Sequence, residues 1–382
     1  MKDLLIEKIK EQLFQEIEEL KGQKGLIRAG LPHYGRFFGR DSLITAWQIL
    51  HLDPENCRKT LKALSELQGK VVNDKREEEP GKILHETDFE LKRHPKGYFP
   101  FPYYGSVDST CWYVILFYFY FLETKDLEFI KKYWKNIVSA VNWMEEYGDA
   151  DQDYFLEYER KNPTGLFHQG WKDSSQDIFK VKPPIAIVEV QGYEYLALKG
   201  AAVLAKELGD ADLPKKFLSR AEELKKNFNE KFWMKDKKFF ALALGVDKKQ
   251  RKVITSSPGH LLFCGIVDKD KEKLVVQRLF QEDLWTPYGI RTHSAKDSGY
   301  RCWSYHMGSV WPHDNWIIAE GLRRLGYKTE YRRIKKATLM TFEELGFIPE
   351  CFIVSNKVLM RNYRACFLQA WSTGALLNFL TT

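Results

Sequence analysis

The feature that most constrains the fold is an alternation of two kinds of helical segment along the chain. Apolar residues recur every three or four positions in about twelve segments, and strand-like alternation is scarce. One kind is apolar on nearly every side, which is typical of a buried helix. The other has one apolar stripe and a face rich in Lys and Glu, which is typical of a helix that faces solvent. The first kind begins near residues 42, 108, 185, 257, 308 and 367, and the second near residues 3, 56, 127, 212, 269 and 328.

This alternation predicts an all-α fold in which six inner helices form a ring and six outer helices wrap it, an (α/α)6 toroid. The 382 residues would allow two or three domains. Because no linker or change in composition divides the chain, we expect a single domain over residues 1–382, without an additional N-terminal β domain. Short strands are expected only within loops, at 153–159 and 238–246.

Four long loops rich in polar and aromatic residues each precede an inner helix, at 69–107, 148–184, 283–307 and 344–366. Loops that precede inner helices open at the same end of the ring. Loops of this length in a compact domain are usually functional. The alternation therefore predicts that the functional site lies at that end.

Charge and cysteine content exclude several classes of protein. The net charge of +7 arises from 59 basic and 52 acidic residues that are spread along the chain, which does not favour a nucleic-acid partner. The six cysteines are widely separated, as expected for reduced thiols. The N-terminus does not resemble a signal peptide, and the most apolar run, 111–122, is too short to span a membrane. We expect a cytoplasmic protein without a membrane partner, and the oligomeric state stays open.

The loops combine aromatic residues with carboxylates, Arg and His, most clearly at 30–42, 97–110, 168–178, 304–316 and 347–352. Aromatic faces pack on the C–H faces of a pyranose, while charged groups and amides bind its hydroxyls. The segment HQGWKDSSQDI at 168–178 places a tryptophan, a lysine and an aspartate side by side. A surface turn would not need the indole, and a core segment would not tolerate the charges. The loops therefore predict a carbohydrate site.

These loops carry a resemblance to a known family. The segments AGLPHYGRFFGRDSLIT, EEEPGKILHE, YYGSVDST, HQGWKDSSQDI, PIAIVEVQGYEYLA, YGIRTHS, SYHMGSVWPHDN and FLQAWSTGALL occur in this order over nearly the whole chain. Together they resemble the amylo-α-1,6-glucosidase module of glycogen-debranching enzymes, in the glucoamylase-like (α/α)6 clan. The resemblance implies a cofactor-independent, exo-acting and inverting α-glucosidase that acts on α-glucans or debranching intermediates.

The resemblance also implies roles for individual residues. Asp173 would be the general acid and Glu350 the general base, while Arg40 and Asp41 would bind the terminal sugar. Because the segment after Glu350 departs from the family pattern, Glu343 and Glu344 are alternative bases. The other residues expected to bind substrate are Tyr104, Asp108, Trp171, Lys172, Gln191, His306, Trp311, His313 and Trp371. No metal site is expected, because His306 and His313 lack a third ligand at suitable spacing.

Physical chemistry adds expectations about the geometry. A general acid must stay protonated, so burial of Asp173 against Trp171 should raise its pKa, and the Lys172 ammonium should point away or reach a sugar hydroxyl. Asp41 could also serve as a helix N-cap. Asp173 and Glu350 precede inner helices on opposite sides of the ring. They should therefore face each other at the separation of about 6.5–9.5 Å that inversion requires.

Three alternative functions remain open from the sequence. The same fold could hydrolyse a small glycoside, such as trehalose or a glucoside or mannoside of the compatible-solute type. A sugar epimerase of this fold would use two histidines as acid and base, for which His306 and His313 are the candidates. The chain could also bind a glycan without catalysis.

Overall fold

The computed structural model describes residues 2–89 and 99–382, so Gly97 and Tyr98 of the predicted aromatic loop lie outside the described residues. Each helix begins within four residues of its predicted start. The helices of the described ranges are α1 (Lys2–Leu20), α2 (Gly39–Gln48), α3 (Pro54–Glu66), α4 (Ser109–Thr124), α5 (Leu127–Glu146), α6 (Val188–Glu207), α7 (Leu213–Lys231), α8 (His260–Cys264), α9 (Lys269–Leu279), α10 (Pro312–Arg324), α11 (Lys328–Leu345) and α12 (Ala370–Thr381).

The even-numbered helices form a closed inner ring. Each packs on the next in chain order, and α12 packs back on α2. Outer helices lie against this ring: α3 contacts α2 and α4, α5 contacts α4 and α6, α7 contacts α6, α11 contacts α10 and α12, and α1 contacts α12. Helix α9 packs on the short 3-10 helix Ser257–Gly259 that leads into α8. The predicted (α/α)6 toroid is therefore confirmed.

Local sequence explains where neighbouring helices end and begin. Helix α4 ends at Thr124, and its C-cap Lys125 adopts a left-handed conformation. The Asp126 side chain then accepts a hydrogen bond from Phe129 N at 3.0 Å and caps α5. Helix α3 is capped in the same way by Asp53, with Pro54 in its first turn. These tight turns fold each outer helix back against the inner helix beside it. No helix in the described ranges is both long and apolar enough to cross a bilayer.

Short strands fix the loops where they enter the inner helices. Strand β2 ends directly before α2 and pairs with β3, β5 ends before α6 and pairs with β4 and β8, and β13 ends before α12 and pairs with β1. The strands are β1 (Gly30–Leu31), β2 (Phe37–Phe38), β3 (Glu86–Thr87), β4 (Glu157–Tyr158), β5 (Ile185–Ile187), β6 (Trp233–Met234), β7 (Phe239–Phe240), β8 (Ala243–Leu244), β9 (Trp285–Thr286), β10 (Gly289–Ile290), β11 (Phe352–Ser355), β12 (Val358–Arg361) and β13 (Leu368–Gln369). Each pairing holds a loop at the same end of the ring.

Aromatic side chains fill the ring axis at the other end. Trp47 of α2 lies 4.6 Å from Phe263 of α8 and 4.4 Å from Trp316 of α10, measured between ring centroids. Phe119 of α4 lies 5.2 Å from Trp47. Because these rings come from four inner helices and meet across the axis, the C-terminal ends of the helices close the ring. Among the described residues, the axis of the ring is open where the inner helices begin.

Candidate active site

A cavity of ≈ 360 Å³ lies at the open end of the ring, where the inner helices begin. All four predicted loops contribute side chains to it, together with the first turns of α2 and α12. Its lining residues are Tyr34, Arg36, Phe38, Arg40, Asp41, His85, Glu86, Phe99, Thr164, Leu166, Trp171, Asp173, Ser175, Tyr305, His306, Trp311, Glu350 and Trp371. The prediction that the loops open at one end of the ring is therefore confirmed, and their side chains line one cavity.

The segment 168–174 forms a tight loop that presents its central residues in different directions. His168 N donates to Ser174 O at 2.9 Å and Ser174 N donates to His168 O at 3.2 Å, which closes the loop at its base. Trp171 and Asp173 line the cavity, whereas Lys172 is buried behind it. The Lys172 ammonium donates to Ser257 Oγ at 3.0 Å and to Thr292 O at 3.1 Å, so it points away from the cavity, one of the two expected orientations.

Arg40 forms the centre of a buried ionic network in the cavity floor. Its Nη2 donates to Asp173 Oδ2 at 2.7 Å, and its Nη1 donates to Asp108 Oδ1 at 3.2 Å and to Gly170 O at 3.0 Å. Its Nε lies 3.8 Å from Asp41 Oδ2. The guanidinium therefore has protein partners on several sides, and it joins the first turn of α2 to the loop that carries Asp173.

The electrostatic surroundings of Asp173 differ from the expectation. Burial alone would raise the pKa of this carboxyl, but the facing His306 imidazole and the Arg40 guanidinium outweigh burial and hold the pKa of Asp173 below its ordinary value. His306 Nε2 lies 3.7 Å from Asp173 Oδ1. The expected raised pKa is therefore wrong for the free protein. The sequence indicated Lys172 as the cation that could lower this pKa, but the cation that contacts the carboxylate is Arg40, from a different loop.

Glu350 has the opposite environment. Its side chain is 2 % exposed, Tyr305 Oη donates to Oε1, and the Cys366 backbone N–H donates to Oε2 at 2.9 Å. Burial raises the pKa of Glu350 to about 8, and the two hydrogen bonds only partly oppose this shift. In the free protein at neutral pH, the proton therefore resides on Glu350 rather than on Asp173.

Asp41 lies beside the same network. Helix α2 begins at Gly39 after Phe38, so Asp41 is in the first turn and is not the N-cap that the sequence suggested. Burial raises the pKa of Asp41 to about 7, although the Arg40 charge opposes the shift. Gln369 Nε2 reaches Asp41 Oδ1 at 3.4 Å. Near neutral pH the Asp41 carboxyl can therefore be protonated or ionised, so it can donate or accept a hydrogen bond.

Aromatic rings form one wall of the cavity. The His306 ring stacks on Trp311 with 5.3 Å between centroids, and Trp171 meets the Trp311 ring edge to face at 5.6 Å. Burial lowers the pKa of His306, so its imidazole is neutral near pH 7. Its Nε2 faces Asp173, and its Nδ1 has no hydrogen-bond partner among the described residues. The Nδ1 atom is therefore available to a ligand.

Several residues predicted from the sequence lie outside the cavity lining. Asp108 and His313 support it from below, because Asp108 binds Arg40 and the His313 ring stacks on Trp371 at 3.7 Å. Tyr104 donates its hydroxyl to Leu67 O at 2.7 Å. The Gln191 side chain binds the backbone of Leu156 and Ile187, and Lys172 is bound behind the wall. The structure therefore does not bring Tyr104, Gln191 or Lys172 to the cavity surface.

The alternative bases also lie elsewhere. Glu343 and Glu344 are exposed on outer helix α11, and Glu344 accepts a hydrogen bond from Tyr288 Oη at 2.6 Å. Neither lines the cavity. Of the three candidates for the general base, Glu350 is the one that faces Asp173 across the cavity.

Sequence reasoning missed several lining residues. Tyr34, Arg36 and Tyr305 sit in segments that the sequence analysis had selected, but nothing in those segments distinguishes them from the neighbouring aromatic and basic residues. His85 and Glu86 lie in the matched segment EEEPGKILHE. Arg36 Nε donates to Glu86 Oε2 at 2.6 Å, which places a second guanidinium at the cavity wall.

One group of carboxylates in the described part of the chain has the composition of a metal site. Asp149, Asp151 and Asp153 bring oxygens within 4.8 Å of one another, outside the cavity. The Lys248 ammonium binds Asp151 at 2.8 Å and Asp153 at 2.6 Å, and Arg220 binds Asp149 at 3.0 Å. The cations of the chain itself therefore neutralise this cluster.

Comparison with known sequences identifies the family. The model of the mannosylglycerate hydrolase MGH1-like glycoside hydrolase domain matches residues 39–353. The mannosylglycerate hydrolase of Rubrobacter radiotolerans is 26% identical over 155 residues, which are 40% of this chain and 35% of that protein. Mannosylglycerate hydrolase MGH1 of Selaginella moellendorffii is 32% identical over 82 residues, which are 21% of this chain and 17% of that protein. The alignments thus span about a third or less of these relatives.

Solved structures share the fold over nearly the whole chain. The crystal structure of the GH63 mannosylglycerate hydrolase from Thermus thermophilus in complex with Tris has a TM-score of 0.75 at 15% identity, and it covers 98% of this chain and 99% of that chain. These comparisons confirm the predicted (α/α)6 glycoside hydrolase but do not support the resemblance to amylo-α-1,6-glucosidase. Because the family model matches most of its length, the chain belongs to the family of the mannosylglycerate hydrolase MGH1-like glycoside hydrolase domain.

Proposed function

We propose that this glycoside hydrolase cleaves a small anionic α-glycoside of the mannosylglycerate type, from its non-reducing end and with inversion. The observation that carries the proposal is that Asp173 and Glu350 share one cavity of ≈ 360 Å³, which is closed at its inner end and is also lined by Arg36 and Arg40. This volume is near the lower end of the range for small-molecule sites. A cavity of this size accommodates one sugar and a short aglycone.

The closed end of the ring argues against a polymeric substrate that threads through the protein. Aromatic rings around Trp47 fill the axis below the cavity, so a polysaccharide can enter the cavity only with one of its ends. This supports exo action. The curated relatives are named mannosylglycerate hydrolases, which supports a small anionic glycoside over the glycogen-derived substrate that the sequence suggested.

In the proposed mechanism, Asp173 protonates the glycosidic oxygen and Glu350 removes a proton from water on the opposite face of the sugar. Reaction requires Asp173 protonated and Glu350 ionised, which is the reverse of their states in the free protein. The reactive form is therefore a minor protonation state. Substrate binding must favour it, because one proton has to move from the Glu350 side of the cavity to the Asp173 side.

An anionic aglycone supplies a reason for that shift. A substrate carboxylate near Arg40 competes with Asp173 for the guanidinium, and a negative charge close to Asp173 raises its pKa. Arg36 provides a second cation at the wall. A neutral aglycone of the same size would leave the pair between Arg40 and Asp173 intact. The anionic charge would thus contribute to catalysis as well as to binding.

The test is a substrate comparison with product stereochemistry. We would measure kcat/KM for mannosylglycerate, glucosylglycerate, the methyl ester of mannosylglycerate, trehalose and a glycogen limit dextrin, and follow the first product by proton NMR. The proposal expects the acidic glycosides to be preferred over the ester and the β-anomer to appear first from an α-linked substrate. Preference for the limit dextrin, or an ester hydrolysed as well as the acid, would contradict the proposed substrate. The α-anomer as first product would contradict inversion.

The epimerase alternative has less support. It would need two histidines at the reacting carbon, but His313 is stacked beneath Trp371 and does not line the cavity, which leaves only His85 and His306 there among the described lining residues. Burial lowers the pKa of His85 to about 3, so this ring is a poor base. Isomer exchange without release of the aglycone in the same NMR assay would revive this function.

A further inference from the structure

A second concave site lies at the closed end of the ring, away from the catalytic cavity. Helix α8 has only 5 residues and is followed directly by its C-cap Gly265, whereas its neighbours α6 and α10 have 20 and 13 residues. Because α8 is short, no helix fills the space beyond its C-terminal end, between α6 and α10. The result is a crevice of ≈ 350 Å³ between α4, α6, α7, α8 and the end of α10.

The floor of this crevice is apolar and aromatic. Tyr195 and Leu196 of α6 form it together with Phe263 and Cys264 of α8, and each of these side chains is buried. At the edge, Val203 and Leu218 are 36% and 41% exposed. Isolated exposed apolar residues need no explanation, but a concave apolar surface that remains open to solvent is typical of a binding site.

The rim of the crevice carries cations and no carboxylate among its described lining residues. Lys199, Lys206 and Arg324 line it, and none of the three has an ion pair within the described chain, although other cationic side chains nearby do. The Arg324 guanidinium lies 4.4 Å from the centroid of Phe263, and Lys199 Nζ lies 5.2 Å from that of Tyr195. Burial lowers the pKa of Arg324, and the carboxylate that most opposes this shift is Glu320 of α10. Glu320 is itself bound to Arg323 at 2.7 Å.

An aromatic floor beneath unpaired cations is complementary to one class of ligand. Cations over aromatic faces are already stabilised, and they can in addition bind an anion placed above them. We infer that this crevice, lined by Tyr195, Phe263 and Arg324, is a second binding site for a small organic anion with a flat apolar body. The inference is independent of the proposed function, because no residue of the crevice lines the catalytic cavity.

The test uses the fluorescent aryl sulfonate 8-anilinonaphthalene-1-sulfonate as the probe, titrated into the full chain. Leu218→Glu places a negative charge on the exposed rim, and Leu122→Glu is its matched control, since Leu122 is 42% exposed but does not line the crevice. Arg324→Gln removes a rim cation, and Arg332→Gln is its matched control, since Arg332 is exposed on α11 and does not line the crevice. Thermal melting checks that each variant folds like the parent.

We expect Leu218→Glu and Arg324→Gln each to raise the dissociation constant of the probe by about threefold to tenfold, and both control variants to leave it unchanged. We also expect the uncharged analogue N-phenyl-1-naphthylamine to bind the parent more weakly than the sulfonate does. Equal binding in all five proteins would show that the probe sits elsewhere and would overturn the inference. Tighter or equal binding of the uncharged analogue would overturn the anionic character of the ligand.

Discussion

Arg40 Nη2 donates to Asp173 Oδ2 at 2.7 Å, so the proposed general acid of this glycoside hydrolase is held as a carboxylate in the free protein. On the other side of the cavity, Glu350 is buried with its carboxyl pKa raised to about 8. The two groups therefore start from protonation states opposite to those that the proposed mechanism needs.

Replacement of Asp173 should depend on the leaving group. We expect Asp173→Asn to lower kcat by about 10²–10⁴ for a natural glycoside, because an alkoxide leaving group needs a proton from a general acid. The loss should be much smaller with a 2,4-dinitrophenyl glycoside, which leaves without protonation. Asp177→Asn, in the same loop but outside the cavity lining, serves as control. Equal losses with both substrates would remove Asp173 from the acid role.

Replacement of Glu350 should not depend on the leaving group. We expect Glu350→Gln to lower turnover of the natural and the activated glycoside alike, by about 10²–10⁴, because both need an activated water. Glu344→Gln is the matched control, since Glu344 is exposed on α11 and was an alternative base. A fully active Glu350→Gln variant, whatever the control does, would assign the base to another group.

Substitution of Arg40 should be costly even when charge is kept. Arg40 contacts Asp108, Gly170 and Asp173 through two nitrogens, and a lysine ammonium cannot satisfy this fork of partners. We expect Arg40→Lys to lower kcat/KM by at least about tenfold, which corresponds to about 1.4 kcal/mol in the barrier. Arg323→Lys, a change at an exposed guanidinium that is paired with the buried Glu320 outside the cavity, should leave kcat/KM unchanged. If kcat/KM of Arg40→Lys equalled that of the parent, the hydrogen bonds of the Arg40 guanidinium would not be needed for catalysis.

The alkaline limb of the pH profile should follow Glu350. In a reaction whose acid and base start in the reverse protonation states, kcat/KM falls above the higher of the two pKa values, here about 8 for Glu350. Burial raises that pKa and the Tyr305 hydrogen bond lowers it. Tyr305→Phe removes the lowering contact, so the alkaline limb should move to higher pH. The profile of kcat/KM against pH measures this, and a limb that stays in place or moves down contradicts the assignment.

The same carboxyl should affect stability with a defined sign. The pKa of Glu350 is raised from 4.5 to about 8 in the folded protein, so ionisation is less favourable there than in the unfolded chain. Its contribution to the free energy of unfolding therefore decreases between about pH 4.5 and 8, by about 1.4 kcal/mol for each pKa unit of the shift. Glu350→Gln should melt at a higher temperature than the parent at pH 9, with a smaller difference at pH 5. A melting difference that does not change with pH would exclude this linkage.

The sequence by itself determined the architecture of the toroid. The alternation of wholly apolar and striped helices follows from burial, since an inner helix contacts protein on all sides and an outer helix on one. That pattern is readable without coordinates, and it predicted the starts of α5, α9 and α11 to the residue. It also predicted that the loops carrying Arg40, Asp173 and Glu350 open at one end, because chain direction fixes which end of each inner helix a loop precedes.

Only the tertiary structure decided which charges meet. Arg40 and Asp173 are 133 positions apart, and no local pattern indicates that this guanidinium, rather than the ammonium of the neighbouring Lys172, would contact the carboxylate. Likewise, no local pattern distinguishes Tyr305 from the other aromatic residues of its loop, and only the fold places its hydroxyl beside Glu350. The physical reason is that helix formation depends on neighbours within one or two turns, whereas a pKa depends on every charge within a few ångströms, whichever loop supplies it.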